Sequence, residues 1–152
     1  MGQLMNNNKI RVNFISRGNR YLASISFTDF EAFNKDLKTR LDKAGKIYEK
    51  HLKKIKGLLK TRNNLKLKNK ILTARFMWQI GNEIFLVIEE LNNNGFIVDD
   101  LYEDLTRDLN VSRTTIKRLI SLRRYFKDIR ELPPRLGWSK IKDAPKKHSI
   151  KS

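Results

Sequence analysis

The sequence predicts a mainly α-helical protein that contains a helix-turn-helix, preceded by a small N-terminal β-hairpin and a long basic helix. Apolar residues recur at helical spacing over most of the chain, and only residues 9 to 27 alternate as strands do. Hydrophobic residues make up 39% and charged residues 32% of the 152 residues, which favours a folded chain with a modest core over a disordered one. We divide the chain into the hairpin and basic amphipathic helices (1–64), the helix-turn-helix domain (65–143) and a basic disordered tail (144–152).

Residues 9 to 27 predict the β-hairpin. Val12 and Phe14 alternate with polar residues on the first arm, and a similar alternation starts at Tyr21 on the second. Arg17-Gly18-Asn19 lies between the arms and tolerates the positive φ angles of a tight turn. Because a lone hairpin is marginally stable in water, we expect it to pack on another element or to pair with another chain.

A long basic helix should follow. Thr28 to Glu31 is a capping-box sequence that begins a helix, and its apolar pattern resumes past Gly45 and ends near Asn63-Asn64. Lysines fill the other positions, so the apolar stripe from Ile47 to Leu59 needs a partner in this chain or in a second subunit. His51 belongs to that stripe, and we expect it to be packed rather than catalytic.

A second long helix should run from about Lys66 to Leu91. Its centre is nearly apolar on all sides, which is typical of a helix buried in the core. Asn92-Asn93-Asn94-Gly95 should end it, because Asn and Gly serve as C-cap and loop residues. Near the C-terminus, Pro133-Pro134 forbids helix, and one short helix around Trp138 should pack back on the core.

Residues 105 to 119, LTRDLNVSRTTIKRL, predict two helices that cross at a tight turn. Asn110 stands at the turn and tolerates a left-handed backbone, and Ser112 is the expected N-cap of a second helix that continues to about Ile129. The apolar residues lie at the spacing that lets them converge on one small core. They are Leu105, Leu109, Val111, Ile116 and Leu119.

The outer face of that second helix carries side chains suited to double-stranded DNA. Cationic ends can bind guanine edges and phosphates, short hydroxyls allow close approach, and in a helix-turn-helix the start of the second helix enters the major groove. An ordinary helical hairpin with a charged outer face is the alternative. The residues expected to contact DNA are Arg113, Thr114, Thr115, Lys117 and Arg118, with Arg123 and Arg124 further along the backbone and Lys50, Lys53 and Lys54 adding sequence-independent attraction.

This segment resembles the helix-turn-helix of bacterial and phage regulators, in which Ala usually stands at the position of Thr106 and Gly at that of Asn110. Residues of about 76–141 also resemble the N-terminal domain of the DUF1016, or YhcG-like, family. The matching features are Trp78-Gln79-Ile80-Gly81, Leu101 to Leu109, Val111 to Phe126, and Leu136-Gly137-Trp138-Ser139. In that family a nuclease domain of the PD-(D/E)XK type usually follows, so the resemblance implies the binding half without the cutting half.

The net charge of +17 is unevenly distributed along the chain. Residues 35–70 hold 14 Lys or Arg against 3 acids, and residues 113–130 hold 7 basic residues against one Asp. Residues 81–108 have the opposite sign, with 8 acids against one Arg. The predicted second helix is therefore basic while the helices before it are acidic, which would orient one face of the protein toward phosphate.

We expect no enzyme activity, no metal and no cofactor. The chain has no Cys and only two His, which excludes zinc-thiolate sites and His-rich metal centres. Paired acids can hold Mg²⁺, but the helical spacing of Asp100, Glu103, Asp104 and Asp108 predicts a solvated outer stripe. No apolar run approaches the roughly 20 residues that span a bilayer, so we expect no membrane partner and a cytoplasmic protein, nucleoid-associated in a bacterium or archaeon.

Two other functions stay open at this point. An RNA-binding or ribonucleoprotein-scaffold protein would bind through the Lys-rich residues 35–70, with the helix-turn-helix only a fold element. A protein-interaction subunit would use the stripe from Ile47 to Leu59 as its docking face. A homodimer is compatible with all three functions, because an amphipathic stripe packs equally well within a chain or between chains.

Overall fold

The computed structural model describes residues 10–17, 20–25, 35–98 and 101–143. Within them the chain is mostly helical and has an N-terminal strand pair, as predicted. The turn at Gly18-Asn19, the capping box at Thr28 to Glu31 and the tail 144–152 lie outside the described residues. The elements are β1 (Ile10–Arg17), β2 (Arg20–Ile25), α1 (Lys35–Leu67), α2 (Ala74–Asn93), β3 (Phe96–Val98), α3 (Leu101–Leu109), α4 (Arg113–Tyr125), a 3₁₀ turn (Ile129–Glu131) and α5 (Trp138–Ile141).

The hairpin belongs to a three-stranded sheet of order β2-β1-β3. β1 pairs antiparallel with β2, with Phe14 opposite Ala23. It pairs parallel with β3, with Ile10 opposite Phe96. Val12 and Phe14 are buried, as their alternation predicts. β3 was not predicted, because three residues are too few to show the alternation of a strand.

The sheet rests on α1, which is one unbroken helix through Gly45. A Cβ atom at Gly45 would lie 2.8 Å from the Tyr21 carbonyl oxygen, so the absence of a side chain lets β2 approach the helix. Phe14 stacks on Tyr48 of α1 with ring centroids 4.0 Å apart. The stripe from Ile47 to Leu59 is largely buried inside the chain, so it is not exposed as a docking face.

The boundary between the two long helices lies later in the sequence than predicted. α1 continues past Asn63-Asn64, and past the expected domain boundary at residue 64, to Leu67. It ends where Asn69 adopts a φ of 55° and the Lys70 amide donates to the Leu65 carbonyl, an arrangement that closes many helices. α2 begins at Ala74 rather than near residue 66, because the Thr73 hydroxyl accepts from the Phe76 amide as an N-cap.

α2 is the central helix, as predicted, and contacts α1, α4 and β3. Its closest approach to α4 is at Gly81, where an added Cβ would lie 2.3 Å from the Leu119 carbonyl oxygen. α4 ends at Tyr125 and not near Ile129, because Phe126 turns to an extended backbone and its carbonyl accepts from the Trp78 indole at 2.6 Å. Residues from both predicted domains share one hydrophobic core.

Candidate nucleic-acid interface

α3 and α4 are joined by the tight turn Asn110–Ser112. Asn110 has a φ of 56°, so it adopts the left-handed backbone that its position predicted. Ser112 caps α4, and its hydroxyl accepts from the Thr115 amide at 3.1 Å. The apolar residues expected to converge here belong to the core, four of them buried and Val111 partly so. The turn and the N-cap of α4 therefore form at the residues where the sequence predicted them.

Two of the predicted contact residues, Arg113 and Lys117, lie together on the exposed side of α4. The Arg113 guanidinium lies 5.4 Å and the Lys117 ammonium 5.8 Å from the centre of the Tyr102 ring on α3. An aromatic ring attracts a cation without neutralising its charge. Neither side chain forms an ion pair within the described residues, so both keep their charge available. Tyr102 was not among the predicted site residues, since only the folded chain brings it beside α4.

The other residues predicted on α4 have different surroundings. Thr114 is exposed, and the Thr115 hydroxyl is within hydrogen-bond distance of Ser112 at 2.9 Å. Arg118 forms an ion pair of 2.6 Å with Asp143, which follows α5, and Arg124 is exposed. These residues leave a basic, partly exposed surface on α4.

The Arg123 guanidinium of α4 packs against α2. It donates to the Asn82 side chain at 2.8 Å and lies 4.4 Å from the centre of the Phe85 ring. The side chain therefore connects α4 to α2, and we do not include it in the exposed basic surface.

The three lysines predicted on α1 also differ from one another. The Lys50 ammonium contacts both Glu90 oxygens, at 2.8 and 3.0 Å, and so helps to join α1 to α2. Lys53 and Lys54 are exposed and form no ion pair within the described residues. Of the three, these two are the ones free to attract a polyanion.

The acidic residues of α3 correct the prediction of a solvated stripe. Asp104 is only 5% exposed and faces the Phe14 backbone amide at 3.4 Å. The Asp108 side chain is 2% exposed, accepts from the Tyr48 hydroxyl at 2.7 Å and pairs with Arg107. Burial, followed by the hydrogen bond to Asp108, raises the pKa of the Tyr48 phenol well above its usual value. Of the predicted stripe, Glu103 is exposed and Asp100 lies outside the described residues.

A second buried polar group joins α1 to α2. His51 is 5% exposed, as a packed residue should be, and its two ring nitrogens lie 2.7 Å from Glu83 and 2.7 Å from Glu90. Hydrogen bonds from Lys50 and then from His51 lower the pKa of Glu90. Both carboxylates contact the buried His51, which as a buried polar group requires a partner.

Most of the described carboxylates in segment 81–108 bind partners within the fold. Four of its carboxylates bind partners inside the protein, while Glu89 and Glu103 are exposed. Carboxylates bound in this way add less negative charge to the surface than their number in the sequence implies.

No helix in the described part of the chain is long and apolar enough to cross a membrane. Comparison with known proteins found no matching family model, no matching curated protein and no matching solved structure. The resemblances drawn from residues 76–141 and 105–119 stay predictions.

Proposed function

We propose that this chain binds double-stranded DNA, with α3 and α4 acting as a helix-turn-helix and α4 as the helix that enters the major groove. The observation that carries the proposal is the pair Arg113 and Lys117, two unneutralised cations held over Tyr102 on the exposed side of α4, near its start. Lys53 and Lys54 also lack carboxylate partners, but in the described part of the chain Arg113 and Lys117 are the two cations that lie over one shared aromatic ring. Cations kept without an acid suit an anionic ligand.

The start of α4 has the chemistry that groove recognition needs. Arg113 and Lys117 lie one turn apart, so their long side chains can reach base edges or neighbouring phosphates together. Thr114 is short and exposed, which permits close approach of the helix backbone. The Tyr102 ring restricts both cations before binding, and this lowers the conformational entropy that binding must remove.

Residues of α1 would add sequence-independent attraction. From Lys50 to Asn82 the chain has no Asp or Glu and ten Lys or Arg. Lys53 and Lys54 are exposed within this stretch. Their contribution is counterion release, which strengthens binding to any nucleic acid and weakens it as salt rises.

The proposal is tested by fluorescence anisotropy on labelled duplex DNA from roughly 50 to 300 mM salt. We expect Arg113→Ala with Lys117→Ala to weaken binding and to lower the slope of log K against log salt by about 1.8, because each lost phosphate contact contributes about 0.9. If the two side chains read bases instead, the slope falls less and the preference for a selected site is lost.

Lys53→Ala with Lys54→Ala is the matched control, because it also removes two positive charges from an exposed helix. Lys50 is left in place, since its contact with Glu90 joins α1 to α2. Double-stranded and single-stranded RNA are measured in parallel. If the control variant loses binding, the α4 variant matches wild type and RNA is preferred, then the Lys-rich scaffold function replaces ours.

A dimeric regulator of transcription or accessory factor of a mobile element is the role we infer. Two copies of α4 would contact half-sites about one helical turn apart, roughly 34 Å along the duplex. Analytical ultracentrifugation with and without a palindromic site tests this arrangement. A single copy bound per site would refute the dimer while leaving DNA binding intact.

A further inference from the structure

A cleft of about 410 Å³ lies between the α1–α2 turn and α5. We call it the turn cleft; its lining includes Lys66, Lys70, Ile71, Trp138 and Ser139. Beside it, two backbone hydrogen bonds of 2.8 Å join residues 72–74 to residues 136–138. The cleft is therefore a built feature of the fold.

The lining combines cations with an aromatic ring. Lys66 and Lys70 form no ion pair within the described residues, and no acid lines the cleft. Trp138 is partly buried, and within the described residues its indole N–H makes no hydrogen bond. The cleft therefore offers the flat indole ring and its unbonded N–H group beside two positively charged side chains.

Ile71 extends the apolar part of the cleft toward solvent. It is 78% exposed, although a β-branched aliphatic side chain is normally buried. Its Cγ2 lies beside Gly137, at 4.0 Å from where a Cβ of that residue would stand. An exposed aliphatic group near an aromatic ring gains from a ligand that covers it.

We propose that the turn cleft binds one nucleotide of a single-stranded nucleic acid, with the base against Trp138 and Ile71 and the phosphate at Lys66 and Lys70. Stacking on aromatic side chains and a cationic path for the backbone are the usual means of binding single strands. Trp138 is partly buried and lines the cleft, so a planar base can lie against its ring. The site shares no residue with the α4 surface, so it goes beyond the proposed duplex binding and does not depend on it.

The test measures anisotropy of a labelled oligothymidylate of roughly 12 nucleotides and of an abasic strand with the same number of phosphates. We expect Trp138→Leu to weaken oligothymidylate binding about tenfold and Trp138→Phe to restore part of the loss, while abasic binding is unchanged by either. Lys66→Ala with Lys70→Ala should weaken both strands about tenfold, and the control Lys53→Ala with Lys54→Ala should weaken both less.

Ile71→Ser keeps the test valid if Trp138→Leu reduces folding, because Ile71 is mostly exposed and its replacement leaves the core intact. It should weaken oligothymidylate and not the abasic strand. Equal binding of the two strands by wild type, or no effect of Ile71→Ser and Trp138→Phe, would overturn the nucleotide site. Sedimentation with vesicles of phosphatidylglycerol and phosphatidylcholine that depends on Lys66 and Ile71, without oligothymidylate binding, would assign the cleft to a lipid surface instead. Duplex binding lost in the Arg113/Lys117 variant would still support the α4 proposal in either case.

Discussion

Replacing Gly81 by Ala tests how closely α2 and α4 pack. The added Cβ would lie 2.3 Å from the Leu119 carbonyl oxygen and 3.0 Å from its carbon. Real Cβ contacts stay above 3.0 Å, so the two helices must separate by about 0.7 Å, the difference between 3.0 and 2.3 Å. Both opposing atoms belong to the backbone and cannot rotate away.

The size of the effect follows from two opposing contributions. Overpacking of a core contact costs about 1 to 3 kcal/mol, and a backbone clash places this case near the upper end. Ala is a better helix former than Gly by about 1 kcal/mol, which offsets part of the loss. We therefore expect Gly81→Ala to lower the free energy of unfolding by about 2 kcal/mol.

Gly57→Ala is the matched control, because a Cβ at Gly57 of α1 meets no atom within 4 Å. It should gain stability by about 0.5 to 1 kcal/mol from helix propensity alone. Urea unfolding followed by circular dichroism measures both variants against wild type. If Gly81→Ala gains as much as Gly57→Ala, then α2 and α4 do not meet at Gly81 and the described packing is wrong.

Three further predictions concern polar side chains that contact or lie in the core, and urea unfolding measures each. Tyr48→Phe should cost about 2 kcal/mol, since it leaves the buried Asp108 carboxylate without one charged hydrogen bond; an unchanged midpoint would contradict that. Because the pKa of Glu90 is lowered in the fold, its stabilisation is present above its usual pKa of 4.5 and lost as pH falls through the folded value. Glu90→Gln should therefore reduce stability at neutral pH and flatten its acid dependence, and an unaltered pH profile would count against the contacts of Glu90 with Lys50 and His51. Thr106→Ala should gain about 1 kcal/mol, because the Thr106 hydroxyl is buried without a hydrogen-bond partner within the described residues, and a clear loss of stability would refute this.

Turns and helix caps, which depend on the preferences of one or a few adjacent residues, could be predicted from the sequence. Asn110 and Ser112 specify the turn and the cap of α4 through their own backbone and side-chain preferences. Thr73 carries the same kind of signal for the start of α2. It was overlooked because the apolar residues Leu67 and Ile71, which are exposed in the fold, seemed to extend the helical pattern backwards.

Features that join distant parts of the chain could not be predicted in this way. The Phe14 amide and Asp104 lie 90 residues apart in sequence, and Tyr48 and Asp108 lie 60 apart. Helical spacing alone gives the side of α3 on which the carboxylates lie but not which elements cover that side. For the same reason the candidate site was predicted only in part: its cations were identified on α4, but Tyr102, Asp143 and the covering of Arg123 depend on tertiary packing.

The parallel pairing of β1 with β3 imposes an order on folding. β1 is synthesised early, yet one of its two partners starts at Phe96, after both long helices. The antiparallel hairpin alone is marginally stable, and closing so long a loop costs entropy before any contact forms. We therefore expect the helices to assemble first and the hairpin to dock late, which pulse-labelled hydrogen exchange would detect as slow protection of Val12 and Phe14. A growing chain on the ribosome would have to keep these apolar residues in solution until β3 has emerged.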